Sequence, residues 1–231
     1  MSLDTIYALS SGRGRAGVAV IRLSGPRAWS TAKAMTGLQP VNRRAVRRRL
    51  KDPVTWETLD RCLCLGFGGP ASFTGEDVVE FHIHGGLAVL ADVLEALRCQ
   101  PDLRLAEPGE FTRRAFENGR MDLTEAESIG DLIDAETSAQ RRQALRQGDG
   151  ALARLCESWR DGLVSALAHW EAALDFSDEE LPIELEASTR QNISKLLAEI
   201  MEKLNDGGVG ERLRDGFRVA IVGPPNAGKS S

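Results

Sequence analysis

The four cysteines, Cys62, Cys64, Cys99 and Cys156, include no C-x-x-C pair. The paired-thiol spacing of redox and zinc motifs is therefore missing. Cys62 and Cys64 are too close in sequence for an ordinary bridge, so reduced, cytosolic thiols are expected. The chain also lacks an 18-residue apolar run and a secretory leader pattern, which argues against secretion and membrane spanning. A cytoplasmic protein is the expectation. No acidic residue lies between Asp4 and Asp52. That gap bears on the formal G-x-G-x-x-G at Gly12-Arg13-Gly14-Arg15-Ala16-Gly17. A dinucleotide fingerprint must open a helix and needs an acid about 20 positions on. Here the β-branched run Val18–Leu23 follows instead, so the glycines and arginines read as a hairpin loop.

What is present is an ordinary globular composition, 42% hydrophobic and 27% charged over 231 residues. The charge is uneven: residues 1–120 carry a net +4 and residues 121–231 a net −9. That asymmetry supports two domains, with the basic half the better candidate for anionic ligands.

The most specific motif stands at the end. Gly223-Pro224-Pro225-Asn226-Ala227-Gly228-Lys229-Ser230-Ser231 fits G-x-x-x-x-G-K-[ST]. The six residues before it, 217–222, read as a buried strand. Backbone N–H groups of such a loop converge into an anion site, and a following helix adds its partial positive charge. Lys229 is placed to reach the outer phosphates and Ser230 to ligate Mg²⁺. The sequence stops at Ser231, so the expectation is a fragment that lacks most of a nucleotide-hydrolysing domain and cannot turn nucleotide over by itself. The strand at 217–222 is expected to have no sheet to join.

Taken in order, Asp4–Ser11 reads as a strand and Val18–Leu23 as its hairpin partner. Arg27–Met35 is a short helix ended by Gly37. The stretch Asn42–Lys51 carries Arg43, Arg44, Arg47, Arg48, Arg49 and Lys51. It reads as a solvated edge strand or loop before an RNA-binding patch, because no aromatic residue is interleaved for stacking. Arg61–Phe67 is a strand, Ser72–Gly75 a loop and Glu76–His84 an alternating strand. Val78, Glu80, His82 and His84 share one face, and Val79, Phe81 and Ile83 the other. A metal site at Glu80, His82 and His84 is conceivable, but same-face neighbours on a strand do not by themselves converge on one ion. A polar groove for a small molecule is the stronger reading. Gly85-Gly86 opens a helix over Leu87–Arg98 and offers a second place for an anion.

Pro101–Ala106 is a short strand, and a helix follows over Glu110–Asn118. Thr124 with Glu127 has the spacing of a capping box. From Thr124 to about Leu204 the pattern is helical. Two helices are expected in Thr124–Phe176, broken near Gly148-Asp149-Gly150. Leu152, Cys156, Trp159, Leu163, Ala166, Trp170 and Ala173 form the expected seam of the second. Asp175–Leu185 reads as an acidic connector and Ser188–Leu204 as a third helix. Asn205–Gly210 reads as a hinge.

Several local stretches coincide with these elements: Arg22-Leu23-Ser24-Gly25, Ser72-Phe73-Thr74-Gly75-Glu76-Asp77, His84-Gly85-Gly86, Pro108-Gly109-Glu110-Phe111-Thr112 and Asp175-Phe176-x-Asp178-Glu179-Glu180. With the P-loop, they closely resemble the tRNA wobble-uridine modification GTPases, the MnmE (TrmE) family, along essentially the whole chain. The resemblance implies an α/β folate-binding-like domain with a mixed sheet over residues 1–120, then the first part of an all-α domain over 121–210. Residues 211–231 would be the first strand and P-loop of a truncated GTPase domain. It implies that Arg22, Glu80 and Arg120 contact 5-formyltetrahydrofolate or a related one-carbon folate. It implies that Asn226, Ala227, Gly228, Lys229, Ser230 and Ser231 bind GTP, with Asn226 on potassium and Ser230 on magnesium. It further implies a homodimer through the N-terminal domain, tRNA as substrate and a flavin-dependent partner, MnmG (GidA). The alternatives are a folate-dependent one-carbon transferase with an incidental P-loop and an RNA-binding interaction scaffold. The first needs its own catalytic acid, for which Glu80 and Asp77 are the candidates.

Overall fold

The computed structural model describes residues 4–175 and 183–205, with 210, 214, 216, 220, 222 and 223. It divides into two units, Met1–Asp122 and Leu123–Ser231.

The first unit is a six-stranded mixed sheet. Its strands are β1 (Thr5–Leu9), β2 (Ala16–Ser24), β3 (Val46–Lys51), β4 (Thr58–Phe67), β5 (Val78–Gly85) and β6 (Leu103–Leu105). Their spatial order is β3-β4-β5-β2-β1-β6. All pairs are antiparallel except β1 with β6. The Gly12–Gly17 segment joins β1 to β2 as a hairpin, with Leu9 opposite Ile21, which bears out the rejection of the dinucleotide reading. Helices α1 (Ala28–Thr36), α2 (Leu87–Arg98) and α3 (Glu110–Glu117) complete the unit.

Alternation decides which face each strand buries. Val79, Phe81 and Ile83 of β5 are almost fully buried with Ile21 and Leu23 of β2 and Cys62 and Cys64 of β4. Ala28, Ala32 and Met35 of α1 and Val93, Ala96 and Leu97 of α2 close this core from one side. Each large side chain buried here stabilises by about 1.5–3 kcal/mol. Burial also pushes the Cys62 thiol up to about 12 and Cys64 up to about 11. Cys99 and Cys156 are exposed.

The second unit is helical: α4 (Leu123–Asp134), α5 (Ser138–Gly148), α6 (Ala151–Asp175) and α7 (Ile183–Leu204). Four sequence expectations need correction. Helix α4 begins at Leu123, so Thr124 stands inside its first turn and does not cap it. The capping box belongs to α5, where the Thr137 hydroxyl accepts from the Gln140 N–H and Gln140 reaches back. That cap starts a separate helix, so Thr124–Phe176 holds three helices; the break near Gly148–Gly150 is observed. Helix α7 starts at Ile183, five positions before the predicted Ser188.

The α6 seam is rotated from its predicted line. Trp159 and Ala166 face inward, but Leu163 is 52% and Trp170 43% exposed. Gly162 explains the shift: a Cβ there would stand 2.8 Å from Leu196 Cδ1 of α7. The helices touch where α6 has no side chain, which a hydrophobic count cannot register. The acidic connector falls largely outside the described residues. So do the hinge apart from Asn205 and Gly210, and the P-loop apart from Gly223. Of the predicted strand 217–222, only Ala220 and Val222 are described, and neither is in a strand.

Candidate functional site on the sheet face

Register brings two of the three predicted folate residues together. Arg22 of β2 lies directly opposite Glu80 of β5. Its Nε donates to Glu80 Oε1 at 3.0 Å, and its Nη2 lies 2.9 Å from the same oxygen. The other oxygen, Oε2, is 3.2 Å from His82 Nε2. The Arg22 guanidinium lies 5.2 Å from the centre of the Phe73 ring and 5.6 Å from that of Phe111. Such cation–π contacts are worth about 0.5–2 kcal/mol each and hold the guanidinium plane in place. The pair is partly buried, with Glu80 at 15% side-chain exposure. A carboxylate has about four lone-pair sites. Glu80 spends one oxygen on Arg22 and the other on His82, so acceptor capacity remains for a further donor.

Arg120 reaches this region through one loop. The stem of Arg120 lies against Gly75: a Cβ at Gly75 would be 3.1 Å from Arg120 Cγ and from Asn118 Cβ. Gly75 holds φ +80, and the Asn118 side-chain amide donates to the Thr74 carbonyl at 2.8 Å. The loop 72–77 thus has Phe73 on Arg22 and Gly75 on Arg120.

A buried ionic cluster fixes that loop to α3, and residue-by-residue reading missed it. Arg114, 4% exposed, donates to Glu76 at 3.2 Å, to Asp4 Oδ1 at 2.8 Å and to Glu110 at 3.3 Å. Ser24 Oγ donates to Glu76 Oε2 at 2.7 Å and lies 2.7 Å from Thr74 Oγ1. Arg104 pairs with Glu110 as well as Asp4. The hydrogen bond from Arg104 outweighs desolvation and, with the Glu107 N–H and Arg114, holds the Glu110 carboxyl down at about 2. The signal was in the sequence, within the Ser72–Asp77 and Pro108–Thr112 stretches. What it encodes is support for Phe73 and Phe111, the two rings that flank Arg22.

Beyond Glu80 the same face opens into a groove of about 410 Å³ lined by Gly17, Val18, Arg47, Arg61, Cys62, Leu63 and His82–His84. The polar-groove reading has a counterpart in position only, since the lining is more apolar than polar, with Val18, Leu63 and Ile83 beside the two arginines and two histidines. The metal reading has none. His84 turns its Nδ1 to Asp60 Oδ1 at 2.8 Å while His82 turns to Glu80. Among the described residues no three metal-ligating side chains come together. Burial pushes the Asp60 carboxyl up, but bonds from the His84 N–H and ring and the Arg61 N–H outweigh it, leaving it below its ordinary value.

The basic run forms edge strand β3, as the solvated-strand reading expects. The absence of an aromatic partner is corrected by the hairpin's return: Lys51 Nζ lies 5.8 Å from the centre of the Trp56 ring, which is 63% exposed. The predicted GTP and ion contacts of Asn226–Ser231 lie outside the described residues. Among the described residues no helix is long and apolar enough to cross a membrane.

Comparison with known proteins agrees with this architecture. The family model described as GTP-binding protein TrmE N-terminus matches residues 5–120, and that of the MnmE helical domain matches 123–221. A protein of Parvibaculum lavamentivorans named tRNA modification GTPase MnmE is 60% identical over 99% of this chain and 52% of its own length. Proteins of the same name from Rhodospirillum rubrum and Methylobacterium sp. are 56% and 58% identical, each covered over 53% of its length. The chain spans about half the length of the curated relatives it matches. A mixed sheet carrying the Arg22–Glu80 pair, followed by the helical unit and matched throughout by these relatives, places the chain in the MnmE (TrmE) family of tRNA modification GTPases.

Proposed function

We propose that this chain is the folate-binding, dimer-forming N-terminal part of a tRNA modification GTPase. In that reading the whole protein, with a flavin-dependent partner, MnmG (GidA), uses a folate one-carbon unit to install an aminomethyl-type group at C5 of the wobble uridine. The observation that carries the proposal is the Arg22–Glu80 pair held between Phe73 and Phe111 on an open sheet face. A pterin presents an amide and an amino edge, which the remaining lone pairs of Glu80 can accept from. Arg22 and Arg120 suit the formyl oxygen or the glutamate tail. A 5-formyltetrahydrofolate molecule supplies the carbon unit when bound; the residues here bind and orient it.

Two features support the longer protein. Helices α6 and α7 leave Leu163, Val164, Leu167, Trp170, Leu197 and Met201 exposed, as helices awaiting a further helical return would. Asn226 to Ser231 are the residues for GTP, with potassium at Asn226 and magnesium at Ser230, and they need the rest of a GTPase domain to act. The chain by itself is proposed not to hydrolyse GTP, and to dimerise through its first unit.

The test is calorimetric titration with 5-formyltetrahydrofolate. Saturable binding that weakens at least tenfold in Glu80→Gln is expected. A folded sample that binds no folate, or a variant that binds as the parent does, overturns the assignment.

A further inference from the structure

We propose that the β3–β4 hairpin is an RNA-contact element, in which Arg47, Arg49 and Arg61 hold the phosphate backbone and Trp56 stacks on an unpaired base. The proposal rests on the tRNA-modification reading for the identity of the RNA.

The first ground is a charge arrangement the fold does not explain. Arg49 of β3 lies directly opposite Arg61 of β4. Like charges so placed destabilise a strand pair. Nothing in the unit offsets them: among the described residues, Arg47, Arg49 and Arg61 make no ion pair, and all three are exposed. The nearby carboxylates are turned elsewhere. Asp60 is bound by His84, and Asp52 accepts from the Val54 and Thr55 N–H groups of its own turn. Glu57 is the remaining acid of the turn. The pair of histidines adds no opposing charge: His82 lies on Glu80 and His84 on Asp60. Arg47 and Arg49 stand two residues apart on one strand face, about 6.7 Å by strand rise. A polyanion laid along β3 satisfies them all.

The second ground is independent. Trp56 is 63% and Val54 73% exposed at the hairpin tip, more than Leu63 of β4 at 45%, whereas Leu50 and Cys62 are buried. The Trp56 backbone sits at φ +61, a conformation that L residues other than asparagine and aspartate seldom adopt. Lys51 lies against the Trp56 ring, which leaves a flat aromatic surface beside a cationic strand. Base–aromatic stacking next to a basic track is how proteins hold single-stranded segments such as loops.

The experiment measures binding of unmodified tRNA to the full chain by fluorescence anisotropy from 50 to 300 mM salt. Tryptophan emission is followed in parallel. A triple variant, Arg47→Ala/Arg49→Ala/Arg61→Ala, is expected to reduce the slope of log affinity against log salt by about 2, since each single-strand phosphate contact contributes about 0.7. Trp56→Ala is expected to weaken binding about tenfold with the slope unchanged. Trp56→Phe is expected to retain affinity but lose the emission quenching seen in the parent. Parent binding that none of these changes overturns the hairpin assignment and leaves the tRNA reading standing. A folded parent that binds no tRNA at 50 mM salt overturns both.

Discussion

The two units bury their apolar residues very differently. In the first, Phe81, Ile21, Leu23, Met35 and Leu97 are wholly inaccessible, and Glu110 and Arg114 are buried with them in an ionic cluster completed by the less covered Glu76 and Asp4. Among the described residues of the second, those with almost no exposure are small: Ser128, Ala144, Ala166 and Thr189. Along α6 and α7, Leu163, Leu167, Leu197 and Leu204 are more than half exposed, and Leu155 and Leu196 are only partly covered. A sheet closed by two helices can complete a core within about 120 residues, whereas two long helices side by side cannot cover each other's apolar stripes. The sheet unit is therefore the part whose stability is intrinsic. The helical unit is an open surface held at a few points such as Gly162 against Leu196.

Truncation tests this contrast most strongly. Phe81→Ala should cost about 3–5 kcal/mol in urea denaturation followed by circular dichroism. Leu163→Ser on α6 should change stability by no more than about 0.5 kcal/mol. Comparable losses at the two positions would mean that the helical unit has a core the structure does not place there.

Acid should separate the units next. The Glu110 carboxyl is held at about 2 in the folded unit against an ordinary 4.5. The ionised form is the one favoured by folding, so this contribution is complete above pH 4.5 and is lost as pH falls toward 2. The expected loss is on the order of 2 kcal/mol, allowing for solvent screening of half-exposed Arg104. Glu110→Gln should flatten the dependence in that window for the sheet unit, while helix content of the second unit titrates as before. An unchanged acid profile would remove Glu110 from the account.

The smallest effect sharpens the comparison within the sheet unit. Gly75→Ala places a Cβ 3.1 Å from Arg120 and Asn118 at φ +80. It should cost about 1 kcal/mol. The informative readout is folate affinity: displacement of the 72–77 loop moves Phe73 off Arg22, so affinity should fall by more than the stability does.

Most of the sheet unit was legible in the sequence because alternation is a local signal. The faces of β5 follow from Val78 to His84 by period two, and the Leu87–Arg98 helix has its predicted bounds. The pairing of Arg22 with Glu80 was not accessible to local reading, since it depends on register between strands 58 positions apart. Resemblance alone pointed there. The same limit hid Trp56, which sits after the basic run and meets Lys51 only when the chain turns back. The misplaced seam of α6 has a single cause. Apolar periodicity finds helix faces but not which face is covered, and in α6 the answer lay in Gly162, the residue with nothing to count.

The cysteines carry a consequence for labelling chemistry. Cys99 lies exposed in the sheet unit and Cys156 exposed in the helical unit, one on each. Cys62 and Cys64 are sealed under the sheet, with thiols held at about 12 and 11, so almost no thiolate exists there at neutral pH. The unaltered chain thus offers two attachment points for a donor and an acceptor dye, one per unit, without removing a native cysteine. The sealed pair serves as an internal clock: its labelling marks the moment the sheet itself opens.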